Sequence, residues 1–280
     1  MDNTGRPLKH ILYTSPSFSG TSWLMNCFIE LGIRVDRTPN MIFEPIRSID
    51  ANYTEYAVRT DNPHLKYGLF SIEGKTHCKL RHDVFLEYLC HTPPPENTDL
   101  PLIFCVRDPR DSIYSLFKYY KFLHDLKDEN FASFTYDYLP VWISLICVCL
   151  EHKKSAFFRF EDIKLNPQKI LTQITTAIGE NFSESEIIQA SQVSDYDLIP
   201  SDSIGKIEYT ECGSRAYEAK PEPYGGDIAY KTRPGAIGKW RYIPKHKEVF
   251  NFIYIATTPI LKQLGYVDAS DKYIYEGVEI

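Results

Sequence analysis

The run His10 to Ser15 (HILYTS) is apolar and passes through SPSFSGTSW straight into a helical pattern. From Gly20 onward Trp23, Leu24, Cys27, Phe28 and Leu31 recur at helical spacing, and Gly32 supplies the stop. The same order returns at Leu102 to Arg107 (LIFCVR), a continuous apolar run of the kind a central parallel strand requires. Asp108 and Pro109 then offer an N-cap and a first-turn proline for a helix to about Leu126. Ala156 to Phe160 is a further short strand, Asn166-Pro167 opens a helix that stops at Gly179, and Lys247 to Leu264 is the last helix. Between the first two units, Tyr67 to Ile72 reads as a strand. LRHDVFLEYLC reads as a helix, ended by the proline-rich HTPPPENTD.

Strands alternating with helices predict an α/β fold, a central parallel sheet flanked by helices on both faces, within a single domain over residues 1–280. From Asp195 to Trp240 the periodicity fails, and a stretch that long without a regular pattern is expected to serve function as a lid or cofactor loop.

Composition removes several classes. A net charge of -6 disfavours nonspecific binding to nucleic acid. The N-terminus, MDNTGRPLKH, has no apolar core of a signal peptide. The most apolar segment, Tyr138 to Leu150, contains Pro140 and falls short of the roughly 20 residues a bilayer needs, so it reads as a buried helix with no membrane span. Seven cysteines without a disulfide-like framework favour a reducing, cytoplasmic setting. His77-Cys78, His82 and Cys90-His91 lack the paired spacing of a zinc site, and Cys147 and Cys149 lie in the apolar stretch as core residues, so no metal is expected.

The opening loop carries five hydroxyl side chains, at Ser15, Ser17, Ser19, Thr21 and Ser22, around Gly20. A strand, a small-residue loop and a helix start make an anion site, because the first helical N–H groups lack internal partners and the helix dipole adds partial positive charge. No lysine follows Gly20, so an ordinary Walker loop, and with it a nucleotide kinase, is disfavoured; GxGxxG is absent too.

FSGTSWL resembles the 5'-phosphosulfate loop of sulfotransferases, which take a sulfuryl group from 3'-phosphoadenosine 5'-phosphosulfate (PAPS) and release adenosine 3',5'-bisphosphate (PAP). Three more segments follow in the family's order. VRDPRDSIYSL is similar to its 3'-phosphate motif, with Arg107 at a strand end and Ser115 eight positions on; a guanidinium is a planar charged fork for phosphate oxygens and a helical serine an aimed hydroxyl. RPGAIGKW resembles the late RKGxxGxW loop, which implies that Arg233 and the backbone at Gly235 close over the 3'-phosphate, although Pro234 stands where a basic residue is usual. KTH resembles the catalytic segment of small-molecule members, which makes His77 the base for the acceptor and Lys75 the contact to the transferring group. RFEDI is similar to a YED segment, implying Phe160 near the adenine, and Trp23 matches a tryptophan that stacks on it. The resemblance implies a P-loop-like sulfotransferase fold, with Ser19, Gly20, Thr21 and Ser22 at the 5' end of the nucleotide.

Relatives usually carry a cation where this loop has Phe18, and losing one preorganised contact to developing charge costs about 3 kcal/mol. Lys75 is the expected substitute, with Lys239 or Arg241 of the late loop as alternatives and a catalytically silent nucleotide binder as the remaining reading. The partner expected is a small-molecule acceptor. Residues 181–230 hold ten Asp and Glu against three Lys and Arg. The plain account is a solvated acidic surface; the sharper one is a lid over a cationic natural product, with Tyr209, Tyr217, Tyr224 and Tyr230 adding cation–π contacts.

Overall fold

The computed structural model describes residues 9–37, 42–47, 54–59, 81–89, 91–124, 126–193 and 236–278. The chain divides into two compact units: Met1–Ser15, Gly20–Cys105 and His152–Cys212 form the first, and Pro16–Ser19, Val106–Glu151 and Gly213–Ile280 the second.

The first unit is built on a five-stranded sheet of order β2-β5-β1-β6-β7, with β1 Lys9–Thr14, β2 Ile33–Arg37, β5 Arg81–Tyr88, β6 Leu102–Val106 and β7 Ser155–Arg159. β1 runs parallel to both β5 and β6, and β2 parallel to β5. A hairpin of β3 Ile42–Arg47 and β4 Thr54–Arg59 forms a separate antiparallel pair. One face of the sheet presents Ile11 and Tyr13 from β1, Val84, Leu86 and Tyr88 from β5, and Ile103 and Cys105 from β6. These pack in one core with α1 Thr21–Glu30, α5 Pro167–Ala177 and α6 Glu184–Val193. The alternate residues Leu12, Thr14, Leu102 and Phe104 are buried as well, so the middle of the sheet is covered on both faces, as near-continuous apolar strands require. The expected parallel α/β architecture is present.

The second unit is helical: α2 Pro109–His124, α3 Phe131–Glu151 and α7 Lys247–Gln263. Ile113, Tyr114 and Phe117 of α2 meet Phe131 and Leu139 of α3 and Phe250 and Ile253 of α7. The remaining helix, α4 Phe160–Leu165, follows β7 directly in the first unit.

Two expectations change. Residues 81–88 are a strand and not a helix: Val84, Leu86 and Tyr88 are buried at period two against β1, with Leu86 opposite Ile11. A short apolar run fits both periods, and its eight residues before a proline cluster were the better guide. The apolar helix is also longer than the expected Tyr138 to Leu150, since it starts at Phe131 and runs through Pro140 to Glu151. That proline lies on the exposed face, where water can serve the carbonyl it leaves without an N–H. Among the described residues Asp128–Glu151 is the one helical stretch long and apolar enough to cross a membrane. One of its faces is buried, at Phe131, Leu139, Trp142 and Ile146 among others, while Tyr136, Val141 and Val148 are exposed. The strand expected at Tyr67 to Ile72 and nearly all of the irregular segment from Asp195 lie outside the described residues.

Candidate functional site

In open parallel sheets ligands gather outside the carboxyl ends of the strands. In the first unit three strands end in sequence-predicted or chemically apt residues: β1 at the start of the hydroxyl loop, β5 in Leu89 with His91 two residues on, and β7 in Phe160.

In the first unit the hydroxyls lock to one another. Ser15 Oγ and Thr21 Oγ1 are 2.5 Å apart, and Tyr13 donates its phenol O–H to Thr21 Oγ1 at 3.3 Å. Thr14 donates to the carbonyl of Thr92 at 2.8 Å, tying the turn after β5 to β1. Burial pushes the Tyr13 phenol well above its ordinary value, so it acts as a donor and not as a charge. Gly20 has φ 86°, and a Cβ there would lie 2.7 Å from Phe160 Cδ2. Glycine is therefore required twice over, by the left-handed backbone and by the close approach of the Phe160 ring. Trp23 is 9% exposed and belongs to the core around α1.

Sequence reasoning weighed His91 only as a metal ligand and gave it no place at the loop. Its Nδ1 lies 2.7 Å from the carbonyl oxygen of Ser15, and its Nε2 lies 3.0 Å from the Tyr88 hydroxyl. A carbonyl can only accept, so Nδ1 carries the proton and Nε2 accepts from the Tyr88 hydroxyl. His91 has φ 66°, a backbone state a non-glycine residue holds only where its surroundings impose it, and such residues cluster at functional sites. Reading residues 81–88 as a strand would have put this histidine at a strand end beside the hydroxyl loop.

In the second unit the middle of the loop is held from outside. Ser112 of α2 donates to the Ser17 carbonyl at 2.7 Å, Tyr138 of α3 donates to Ser17 Oγ at 3.2 Å, and Arg107 Nη1 donates to the Phe18 carbonyl at 3.1 Å. These bonds over-determine Phe18, which has φ 61°. Ser19 Oγ is fully buried and has no hydrogen-bond partner among the described residues. A buried hydroxyl in that condition suits an anionic ligand.

Arg107 also donates through Nη2 to the Ala236 carbonyl at 2.8 Å. Its neighbouring carboxylates are held by other groups. Asp108 takes a charged pair from Arg110 at 2.6 Å as well as the Arg110 N–H, and Arg110 lies 3.7 Å over the Trp240 ring. Burial alone would raise the Asp108 carboxyl, but Arg110 outweighs it and holds the group below its ordinary value. Asp111 accepts the backbone N–H of Gly238 at 2.7 Å and of Trp240 at 3.2 Å. Burial pushes the Asp111 carboxyl up, with Arg107 and Lys239 drawing it back. Lys239 Nζ donates to Ser115 Oγ. Arg107 and Ser115, eight residues apart, thus each reach the late segment, at Ala236 and at Lys239.

Other expectations are placed as follows. Arg241 donates to the Tyr275 carbonyl at 2.8 Å, so it is committed to the C-terminal turn. The side chain of Ser22, together with Lys75, His77, Arg233 and Gly235, lies outside what is described. Burial pushes both the Cys105 and Cys149 thiols up to about 12, which suits inert core residues. Among the described residues no group of three or more His, Cys, Asp and Glu could hold a metal ion.

The family model described as a sulfotransferase domain matches residues 8–198, more than half of the chain. The chain belongs to the sulfotransferase family. Solved structures similar to this sulfotransferase include retinol dehydratase in a complex with retinol and PAP, at 18% identity over 93% of this chain and 83% of that one, with a TM-score of 0.53. Another is mouse sulfotransferase SULT7A1 complexed with PAP, at 18% identity over 88% and 83%, with a TM-score of 0.49. The first likeness shows the fold. No curated protein sequence matches the chain. The late segment from Arg233 to Trp240 lies beyond the matched range, so its part in the site rests on the contacts to Arg107, Asp111 and Ser115.

Proposed function

We propose that this sulfotransferase transfers a sulfuryl group from PAPS to a hydroxyl or amine of a small molecule, releasing PAP and a sulfate ester or sulfamate. The reading is carried by the second-unit cluster, in which Arg107 and Ser115 are both buried and both tied to residues 236–239. The residues present fit the nucleotide: a buried serine hydroxyl at Ser19, a glycine admitting close approach at Gly20, and an aromatic ring at Phe160. Bound PAPS supplies the activated sulfuryl group.

The chain's own residues do the rest. Ser19, Gly20, Thr21 and Ser22 bind the 5' end through hydroxyl and backbone N–H groups, with Trp23 and Phe160 toward the adenine. Arg107 and Ser115 bind the 3'-phosphate, with Arg233 and Gly235 closing on it. Lys75 supplies the cation that Phe18 does not. One group must take the proton from the acceptor as it attacks sulfur. The resemblance gives that role to His77; His91, held between the Ser15 carbonyl and the Tyr88 hydroxyl, serves instead to position the opening loop. The acidic segment 181–230, with ten acidic against three basic residues, is consistent with a cationic acceptor as well as with a solvated acidic surface. The buried thiols suit a reducing, cytoplasmic setting.

Transfer of radiolabelled sulfuryl groups from PAPS to a mixed acceptor set tests the activity, and a protein that binds PAP yet labels nothing would be a silent binder. In the same assay His77→Gln should lose about 100- to 10,000-fold in turnover with PAP binding kept. His91→Gln should then stay near wild type; the opposite pattern moves the base to His91. A neutral phenol sulfated faster than every amine-bearing compound would remove the cationic acceptor.

A further inference from the structure

We infer that Asp111 is a positioning residue for the 3'-phosphate grip: its carboxylate holds residues 236–240 against α2 and so sets the plane of the Arg107 guanidinium. The role rests on the PAPS reading above and adds to it a residue which that reading does not use.

An acid in the first turn of a helix ordinarily serves the N–H groups of its own helix. In α2 that work falls to Asp108, whose side chain accepts the Arg110 N–H at 2.9 Å. The Asp108 carbonyl accepts the N–H groups of Asp111 at 3.1 Å and Ser112 at 2.9 Å. The Asp111 carboxylate turns instead to the late segment. One oxygen takes the Gly238 N–H at 2.7 Å and the other the Trp240 N–H at 3.2 Å. Gly238, at φ 67°, leads into a single 3-10 turn, Lys239–Tyr242, and the leading N–H groups of such a turn lack partners inside it. Because Asp111 is fully buried, both bonds are charge-assisted and shielded from water.

Pinning those two amides fixes what lies beside them. Two residues before Gly238, the Ala236 carbonyl accepts from Arg107 Nη2 at 2.8 Å, while Nη1 donates to the Phe18 carbonyl at 3.1 Å. A guanidinium is a rigid planar fork, so a carbonyl at each terminal nitrogen defines its plane, and the plane decides how it meets a phosphate. Between the pinned amides, Lys239 donates to Ser115 Oγ. Both residues assigned to the 3'-phosphate therefore meet the late segment at positions that Asp111 fixes. The carboxylate also feels the charges of Arg107 and Lys239. Asp111 acts on the nucleotide through Arg107 and Ser115.

Titration calorimetry on the full chain with PAP and with adenosine 5'-monophosphate tests this role. Asp111→Asn keeps the shape but offers one acceptor oxygen and an NH2 that opposes the second N–H. PAP affinity should fall about 10- to 100-fold, and monophosphate affinity should change by less than about 3-fold. Hydrogen exchange at the Gly238 and Trp240 amides should quicken in the same variant. Thr135→Val removes a buried hydroxyl bond within α3, serves as the stability control, and should keep the wild-type preference for PAP. Equal losses for both probes, no loss for PAP, unchanged exchange at the two amides, or an equal loss of preference in Thr135→Val would each overturn the proposal. Should Asp111→Asn fail to fold by thermal melting, the wild type decides, because coupling between two sites is reciprocal. Saturating PAP should then slow exchange at the two amides about 10-fold or more relative to saturating monophosphate, and equal exchange with the two nucleotides overturns the proposal. A wild type with no preference for PAP would instead defeat the PAPS reading itself. A preference that survives Asp111→Asn defeats only the part assigned to Asp111.

Discussion

The two units hold their candidate residues by different means. Around Thr21 the first unit joins neutral groups, the hydroxyls of Tyr13, Ser15 and Thr21, with the His91 imidazole on the Ser15 carbonyl. Around Asp111 the second unit buries Arg107, Asp108, Arg110 and Lys239 together, each no more than 4% exposed. Neutral hydrogen bonds contribute about 1 kcal/mol each and fail singly, whereas buried charges support one another and fail together when one is removed. The hydroxyl region should accordingly tolerate change, and the ionic region should punish it.

The largest effect is expected at Arg107. Arg107→Ala removes the donors to Phe18 and Ala236 and leaves Asp111 with one cation fewer, which should cost about 3–5 kcal/mol of stability along with PAP binding. Chemical denaturation measures it, and a loss below about 1 kcal/mol would erase the contrast with the hydroxyl region. Gly20→Ala comes next, at about 1–3 kcal/mol, since φ 86° and the Phe160 ring both oppose a methyl group. Adding Phe160→Leu should recover the steric part and leave the backbone part, so full recovery in the double variant would mean that only the clash matters. Thr21→Val keeps the shape and removes the hydroxyl shared by Tyr13 and Ser15, for about 1 kcal/mol. A loss as large as that of Arg107→Ala would break the comparison from the other side.

The smallest effect separates buried charge from charge in general. Asp128 lies on the surface of the second unit between Lys121 and Lys245, at 2.6 Å from each. Burial would raise its carboxyl, but the two lysines hold it down to about 2. A folded-state value below the unfolded one gives stability that is present above about pH 4 and lost as pH falls toward about 2. Because the carboxylate is 41% exposed, solvent screens it and the contribution should stay under about 1 kcal/mol. Melting of Asp128→Asn against wild type should show a small gap at neutral pH that closes by about pH 2. A gap that widens in acid would contradict the sign.

Much of this was legible in the residues. β1, β6, β7 and the helices α1, α2, α5 and α7 follow from apolar runs, caps and stopping glycines, because those signals are local. The pairing of Arg107 with Ser115 came from the resemblance to the family's 3'-phosphate motif, and both are buried and bonded to the late segment. What stayed hidden depends on tertiary contact. The strand at 81–88 fits two periods until β1 lies beside it, and His91 gains meaning only from the Ser15 carbonyl. Likewise, nothing in the order of residues says that Lys239 would turn to Ser115 while Arg241, two positions on, would turn to Tyr275.

The most direct test titrates wild-type protein with PAP and with adenosine 5'-monophosphate under one set of conditions. If Arg107 and Ser115 grip a 3'-phosphate, PAP binds about 100-fold more tightly. Equal affinities for the two nucleotides would mean that the buried cluster serves the fold alone.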